Sequence, residues 1–268
     1  MSQIVGKPPV CMTIAGLDPS GGAGVVADVR AFSRFGCFPS MVITSVTFQN
    51  TTGVFGAENL SAESVRQQAD AVFDDYEIAA MKTGMLPTAE IINTVADLVR
   101  RRNVKNFVID PVVRSTSGFD LIGDEALRAL VAELFPLALI ATPNLAEAER
   151  ITGMSIETAS DLDRAAAALL ETGVPYVLIK GGHRIKRDVD SGVARDHLFS
   201  QAGTQAFDAE FIETTATHGT GCVLSAAITA NLALGHSVED AVRTAKEFVT
   251  NAIKDAPMLG HGHSPIGI

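Results

Sequence analysis

Thr217-His218-Gly219-Thr220-Gly221-Cys222-Val223-Leu224-Ser225-Ala226-Ala227 reads as an anion-binding turn that opens a helix. Gly219 and Gly221 let the backbone turn tightly and bring successive N–H groups close to a ligand. From 223 to 234 the residues are small and apolar enough to continue as a buried helix. The unpaired N–H groups and positive dipole end of such a helix favour phosphate. A thiol in that first turn is expected to titrate below its free value, so Cys222 is a candidate base. Taken alone, the stretch also fits a glycine turn holding a small buried cysteine.

Outward from this turn, short apolar runs alternate with amphipathic stretches. Runs at 10–15, 41–48, 78–81, 106–109, 137–141 and 176–179 read as buried strands. Helical patterns lie at 24–35, 62–73, 89–101, 124–134, 145–151 and 160–171. Strands apolar on both faces and separated by helices predict a parallel sheet covered on each side. Thr88, Ser160 and Ser237 are expected helix N-caps, and Gly173 and Gly235 stand where helices should end. Past Lys180 the rhythm changes. A glycine-rich charged loop precedes two short strands at 192–199 and 205–214, expected as antiparallel edge pieces, and helices follow at 220–234 and 238–255. No repeat or long linker interrupts the chain, so one doubly wound domain over 1–268 is expected.

Composition narrows the function. The 268 residues are 47% hydrophobic and 19% charged, as in a globular enzyme. A formal net charge of −10 argues against nucleic acid or an anionic membrane as a main partner, while a small anionic substrate stays open. Cys11, Cys37 and Cys222 are widely spaced without a CxxC pair, which fits a reducing compartment. With no apolar signal core at the N-terminus and no run near the ~18 apolar residues of a membrane helix, a soluble cytoplasmic protein is expected.

The chemistry-bearing residues fall at strand ends. Ala15-Gly16-Leu17-Asp18-Pro19-Ser20-Gly21-Gly22-Ala23-Gly24 follows the first strand and leads into a helix holding Asp28. The segment is neither a Walker A loop nor GxGxxG, and it fits either a ligand loop or a plain connection. Gln49 follows the second strand, where its amide suits the donor–acceptor edge of an aminopyrimidine or simply caps a loop. Lys82 can face phosphate, and Met85 can wall a heterocycle or belong to the core. Asp110 offers a carboxylate for hydrated Mg²⁺. Asn144 and Glu147, three apart, reach one ion or phosphate, with a capping box as the rival reading. Lys180 with its glycines offers a cation to a triphosphate. The six histidines make no metal set, and His218 is read as orienting backbone.

In this order the motifs resemble the ribokinase superfamily. Within it they are similar to the hydroxymethylpyrimidine/phosphomethylpyrimidine kinases of thiamine biosynthesis. The anchors are AGLDPSGGAG at 15–24, QNTTGV at 49–54, KTGML at 82–86, IDPVV at 109–113, TPNLAEA at 142–148, KGGH at 180–183, HGTGC at 218–222 and GHGHSP at 260–265. The resemblance implies a ribokinase-like three-layer sandwich with a central, mainly parallel sheet, paired as a homodimer. It implies ATP-dependent phosphorylation, with Mg²⁺, of 4-amino-5-hydroxymethyl-2-methylpyrimidine and then of its monophosphate. Carried over, the pyrimidine pocket is Gly16, Asp28, Gln49, Met85, Val112 and Cys222. Asn144, Glu147 and Lys180 fall on positions tied to Mg²⁺ and ATP phosphates. The N–H groups of Gly219, Thr220, Gly221 and Cys222 form the anion hole.

Two departures stand out. Leu17 replaces a serine usual in these kinases, and Val113-Arg114-Ser115-Thr116-Ser117-Gly118 replaces a pattern closer to Met-Val-Ala-Lys-Ser-Gly. Related pyridoxal kinases share the anion turn, and Gln49 is what favours the pyrimidine. A nicotinamide dehydrogenase needs GxGxxG after the first strand and an acidic residue ending the second, and the chain has neither. A non-enzymatic sensor would keep the pocket and lose the phosphoryl-transfer residues, which are intact.

Overall fold

The computed structural model describes residues 6–113, 120–181 and 192–268. Its strands are β1 Val10–Leu17, β2 Phe38–Asn50, β3 Gly53–Asn59, β4 Ile78–Thr83, β5 Phe107–Ile109, β6 Ile140–Ala141, β7 Tyr176–Lys180, β8 Val193–Ser200 and β9 Gly203–Glu210. Its helices are α1 Gly24–Arg34, α2 Ala62–Phe73, α3 Ala89–Arg102, α4 Asp124–Ala129, α5 Leu145–Thr152, α6 Ala159–Leu170, α7 Thr220–Ala233 and α8 Val238–Lys254. The strands form one sheet in the order β3-β2-β1-β4-β5-β6-β7-β8-β9. β2, β1, β4, β5, β6 and β7 run parallel, and β3, β8 and β9 are antiparallel additions at the two edges.

Residue parity along the strands explains the layering. Met12, Ile14, Phe107, Ile109, Val177 and Ile179 share one apolar cluster with residues of α3, α5 and α6. Cys11, Val108, Ile140 and Leu178, one position out of step, share another with α1, α7 and α8. Alternating side chains therefore feed two cores, and the sheet is covered on both faces, giving the expected three-layer sandwich. Every residue of α7 from Val223 to Leu232 is buried. A helix apolar all round has to sit inside, and α7 packs against both α1 and α8. Its first turn is thereby fixed beside the carboxyl ends of the parallel strands. Among the described residues, no helix is long and apolar enough to cross a membrane.

The sequence reading needs four corrections here. The 49–53 segment is not a loop beyond a finished strand. β2 continues to Asn50, and the chain returns as β3, paired antiparallel with it. β3 has no buried residue and so lacks the apolar run that marks a core strand. The last strand stops at Glu210, short of the expected 214. The strand expected from 137 is only Ile140–Ala141, because Pro136 sets a 3₁₀ turn over Phe135–Leu137. The N-cap of α6 is Thr158 rather than Ser160: its hydroxyl accepts the Asp161 N–H, and Asp161 closes a capping box. The caps at Thr88 and Ser237 form as expected.

That last correction is testable by thermal or urea unfolding. Thr158→Ala should cost ~1 kcal/mol of stability, the usual loss for an N-cap hydroxyl, whereas Ser160→Ala should be nearly silent. Equal effects would return the cap to Ser160.

Candidate active site

Because β1, β4, β5, β6 and β7 are parallel, the segments that leave them emerge on one edge of the sheet. Asp18, just past β1, organises the first of these. Its Oδ1 accepts the Ser20 N–H and hydroxyl at 2.8 and 2.7 Å, and its Oδ2 accepts the Gly22 and Ala23 N–H groups at 3.2 and 2.8 Å. His218 Nε2 stands 2.8 Å from the same Oδ2. Burial alone would raise this carboxyl. The bonds from His218, Ser20 and Gln49 overcome it and hold the group down at about 2. One carboxylate thus ties the loop after β1 to the turn before α7.

The turn at 217–222 has the conformation its glycines allow. Gly219 lies at φ +80°, and an added Cβ would stand 1.8 Å from the Gly22 carbonyl oxygen. No other residue permits that approach. α7 starts with no side-chain cap, so its N-terminal dipole faces the crevice uncapped. The Thr220 N–H turns back to Thr217 O at 3.4 Å, which removes it from the expected anion hole in this state. The segment 259–265 braces the turn: His218 N–H donates to Ser264 O at 3.2 Å, and Thr217 Oγ1 lies 3.1 Å from His263 Nδ1. His263 N–H in turn reaches Thr51 O, at the β2–β3 tip, at 2.8 Å.

Between these loops and β7 runs a row of buried charges. Lys82 Nζ bonds Asp28 Oδ1 at 2.8 Å, with both side chains fully buried. Thr13 Oγ1 donates to Asp28 Oδ2 at 2.6 Å. Further along, Lys180 Nζ lies 3.2 Å from Asp110 Oδ1 and 3.9 Å from Glu147 Oε2, and Ser225 Oγ donates to Asp110 Oδ2 at 3.1 Å. Burial disfavours charge on Lys180 and Lys82, yet their carboxylate neighbours outweigh it and raise both. Asp110 feels the same burial and is lowered by Lys180 and Lys82. Glu147 goes the other way: burial, with Asp110 adding to it, pushes its carboxyl up to about 7 against the pull of Lys180.

These contacts revise several site expectations. Asp28, placed at the pyrimidine wall, is fully buried and spends both oxygens on Lys82 and Thr13. Lys82 is equally buried and is paired with Asp28. Cys222 lies near Lys82 and keeps partial exposure, but its thiol is not depressed. Burial pushes it up to about 12, reinforced by Asp110 and Asp28 and only partly offset by Lys82 and the Gly24 N–H. The low value expected for a thiol in a first helical turn is not met, because burial is the largest influence on this one. Asn144 and Glu147 form the capping box of α5: Asn144 Oδ1 accepts the Glu147 N–H at 2.9 Å, and Glu147 Oε2 accepts the Asn144 N–H at 2.7 Å.

Other expected residues do meet. A Cβ on Gly16 would lie 3.1 Å from Met85 Sδ, so the glycine lets that side chain close against β1. Thr44 Oγ1 holds the Met85 carbonyl at 2.7 Å. Val112 follows Asp110, to whose carbonyl its N–H donates at 2.8 Å. Lys180 reaches the anion turn, since a Cβ on Gly221 would stand 3.2 Å from its Nζ. The Leu17 departure is harmless to one local contact, because Thr47 Oγ1 bonds its backbone carbonyl at 2.9 Å. Arg114, Gly182 and His183 lie outside the described residues. Sequence reasoning gave no role to Asp18 or Ser225. The Asp-x-Ser-Gly-Gly order was the available sign for Asp18, because an Asx-type turn needs that spacing.

The chain has clear relatives. The phosphomethylpyrimidine kinase family profile matches residues 18–267. A hydroxymethylpyrimidine/phosphomethylpyrimidine kinase of Staphylococcus aureus (strain MSSA476) is 41% identical over 261 residues, spanning 97% of this chain and 93% of that one. The crystal structure of phosphomethylpyrimidine kinase from Clostridium difficile 630 superposes with a TM-score of 0.79 at 40% identity, covering 91% of this chain and 99% of that one. An ADP complex of Bacillus subtilis pyridoxal kinase gives a TM-score of 0.87 at 36% identity over 97% and 96% of the two chains.

The raised Glu147 carboxyl makes a pH prediction. A folded-state value of about 7 against an ordinary 4.5 means the folded protein binds this proton more tightly than the unfolded chain. The resulting stabilisation is full below pH ~4.5 and is lost as pH rises through ~7. Without divalent cations, wild-type protein should lose more stability than Glu147→Gln between pH 5 and pH 8. Parallel melting curves at both pH values would contradict the assignment.

Proposed function

The chain belongs to the phosphomethylpyrimidine kinase family, and from that premise we propose that it phosphorylates 4-amino-5-hydroxymethyl-2-methylpyrimidine with ATP and then converts the monophosphate to the diphosphate for thiamine biosynthesis. The observation that carries this reading is the convergence of an uncapped helix N-terminus with Lys180, Asp110 and Glu147 at one edge of the sheet. Phosphoryl transfer asks little covalent chemistry of the protein and mostly needs positioning and neutralisation of the moving charge.

Each group then has a role. Gly16, Met85 and Val112 wall the heterocycle, and Gln49 reads its amino edge. Cys222 positions the acceptor hydroxyl rather than removing its proton, since a thiol at about 12 stays protonated near neutrality. The N–H groups of Gly219, Gly221 and Cys222 receive charge developing on the transferred group, with Thr220 joining if its N–H leaves Thr217. Lys180 holds the ATP phosphates beside that turn. Asn144, its side-chain oxygen spent on capping, has only its amide NH₂ to offer them.

Mg²⁺ fits the donor set. Asp110 and Glu147 are hard oxygen donors, and the upward push on Glu147 marks a place short of positive charge. The described residues hold no group of three His, Cys, Asp or Glu able to cage an ion, so an ion here would share its shell with phosphate and water. Bound there, Mg²⁺ would supply charge neutralisation for the phosphates.

We place the enzyme in the cytoplasm, in keeping with its three free cysteines, as one kinase domain over 1–268. Exposed Phe38, Met41 and Phe48 on β2 and Phe55 on the edge strand β3 support a homodimer through that side of the sheet. A second reading, pyridoxal kinase, is favoured by the likeness to the Bacillus subtilis structure.

Steady-state ADP release with three acceptors separates the readings. The pyrimidine and its phosphate should both be turned over, with kcat/KM at least tenfold above that for pyridoxal. Pyridoxal as the preferred acceptor would install the second reading, and no pyrimidine turnover would end the first.

A further inference from the structure

Residues 259–265 follow the last helix and belong to no strand or helix, yet they bond two elements that meet at the site. On one side they grip Thr51, at the β2–β3 tip and two residues beyond Gln49. The His263 N–H donates to Thr51 O at 2.8 Å, and the Gly262 N–H reaches Thr51 Oγ1 at 3.4 Å. A Cβ on Gly262 would run into Thr51 O, so the approach needs a glycine there. On the other side the segment holds the anion turn. His263 Nδ1 lies 3.1 Å from Thr217 Oγ1, the His218 N–H donates to Ser264 O at 3.2 Å, and Pro265 pairs with His218 as a parallel bridge. Ser264 is 2% exposed, and its hydroxyl accepts the Leu259 N–H at 2.9 Å, which closes the segment on itself. His263 is thus bonded to both elements, by its backbone to Thr51 and by its ring to Thr217.

We propose that His263 is a positioning residue for the transfer step: it sets the β2–β3 tip, beside Gln49, at a fixed distance from the turn that receives the moving charge. The inference rests on the pyrimidine-kinase reading above, in which Gln49 reads the acceptor ring. Asp18 ties the anion turn to the loop after β1, whereas His263 ties it to a different element, the one that carries the ring-reading amide. Acceptor hydroxyl and anion hole are then placed by one brace. A misplacement of ~1 Å between reacting groups can cost on the order of 10²-fold in rate, so such a brace acts on turnover more than on binding.

The test measures kcat and KM with 4-amino-5-hydroxymethyl-2-methylpyrimidine and ATP. His263→Ala keeps the backbone bond to Thr51 and deletes the ring bond to Thr217. It should lower kcat by about tenfold or more while the KM for ATP shifts less than about threefold. His263→Asn puts an amide atom where Nδ1 stands, able to give or take the proton, and should restore most of the turnover. His263→Gln, whose amide reaches the place of Nε2 instead, should not. Thr217→Val cuts the same bond from its other end, so the His263→Ala, Thr217→Val double variant should be no slower than either single one. Wild-type kcat in His263→Ala, additive losses in the double variant, or equal rescue by Asn and Gln would each overturn the proposal. NMR of the ligand-free protein gives a readout that needs no turnover: the Thr51 and Thr52 amide signals should move in Thr217→Val, and unmoved signals would overturn the proposal. Wild-type enzyme that does not phosphorylate the pyrimidine would instead defeat the functional reading, and the amide signals would still judge the brace.

Discussion

The site depends on keeping several ionised side chains out of water at the carboxyl ends of parallel strands. Asp28 with Lys82, and Asp110 with Lys180 and Glu147, sit where the sheet and α7 exclude solvent. Desolvating any one of these alone would cost several kcal/mol, and removal of a partner leaves a buried charge uncompensated. Alternation of sign along the row is what makes the burial tolerable. The same arrangement explains the pKa directions: lysines rise and Asp110 falls because each has an opposite neighbour, while Glu147, at the end of the row, has too little positive charge near it.

This constraint decides how catalysis can work. A cysteine in the first turn of a helix suggests an activated thiolate, but that argument assumes water around the sulfur. Here burial and two nearby carboxylates outweigh Lys82 and the Gly24 N–H. What the helix start keeps is its backbone: an uncapped N-terminus, a left-handed Gly219 seated on Gly22, and Lys180 beside Gly221. Fixed dipoles of this kind need no reorganisation as charge moves. The turn stays in place because Asp18 and Ser264 hold His218 from two sides.

Much of this was legible in the chain. Continuous apolar runs announced β1, β4 and β7, and the all-apolar stretch after Cys222 announced a buried helix. β3 was not legible, since a strand with no buried residue carries no hydrophobic period. Strand ends pointed to the segments that converge beside α7 but not to the direction of each side chain. Lys82 alternates with Met81 and turns to the α1 face, where it meets Asp28. Glu147 three residues after Asn144 was readable as metal ligand or cap, and local geometry realises the cap while leaving the carboxylate beside Lys180. Asp18 had a local sign in the Ser20 two residues on, but its link to His218, two hundred residues away, had none.

The central claim is that backbone N–H groups and Lys180, and not a thiolate base, carry the transfer. It is tested most directly by the pH profile of kcat for wild type and Cys222→Ser at saturating ATP and pyrimidine. The account predicts turnover within about tenfold of wild type and the same profile from pH 6 to 9, because serine keeps the backbone N–H and a general base is not being lost. A fall of roughly 10²–10⁴-fold with loss of a basic limb, the range expected when a general base is removed, would contradict it.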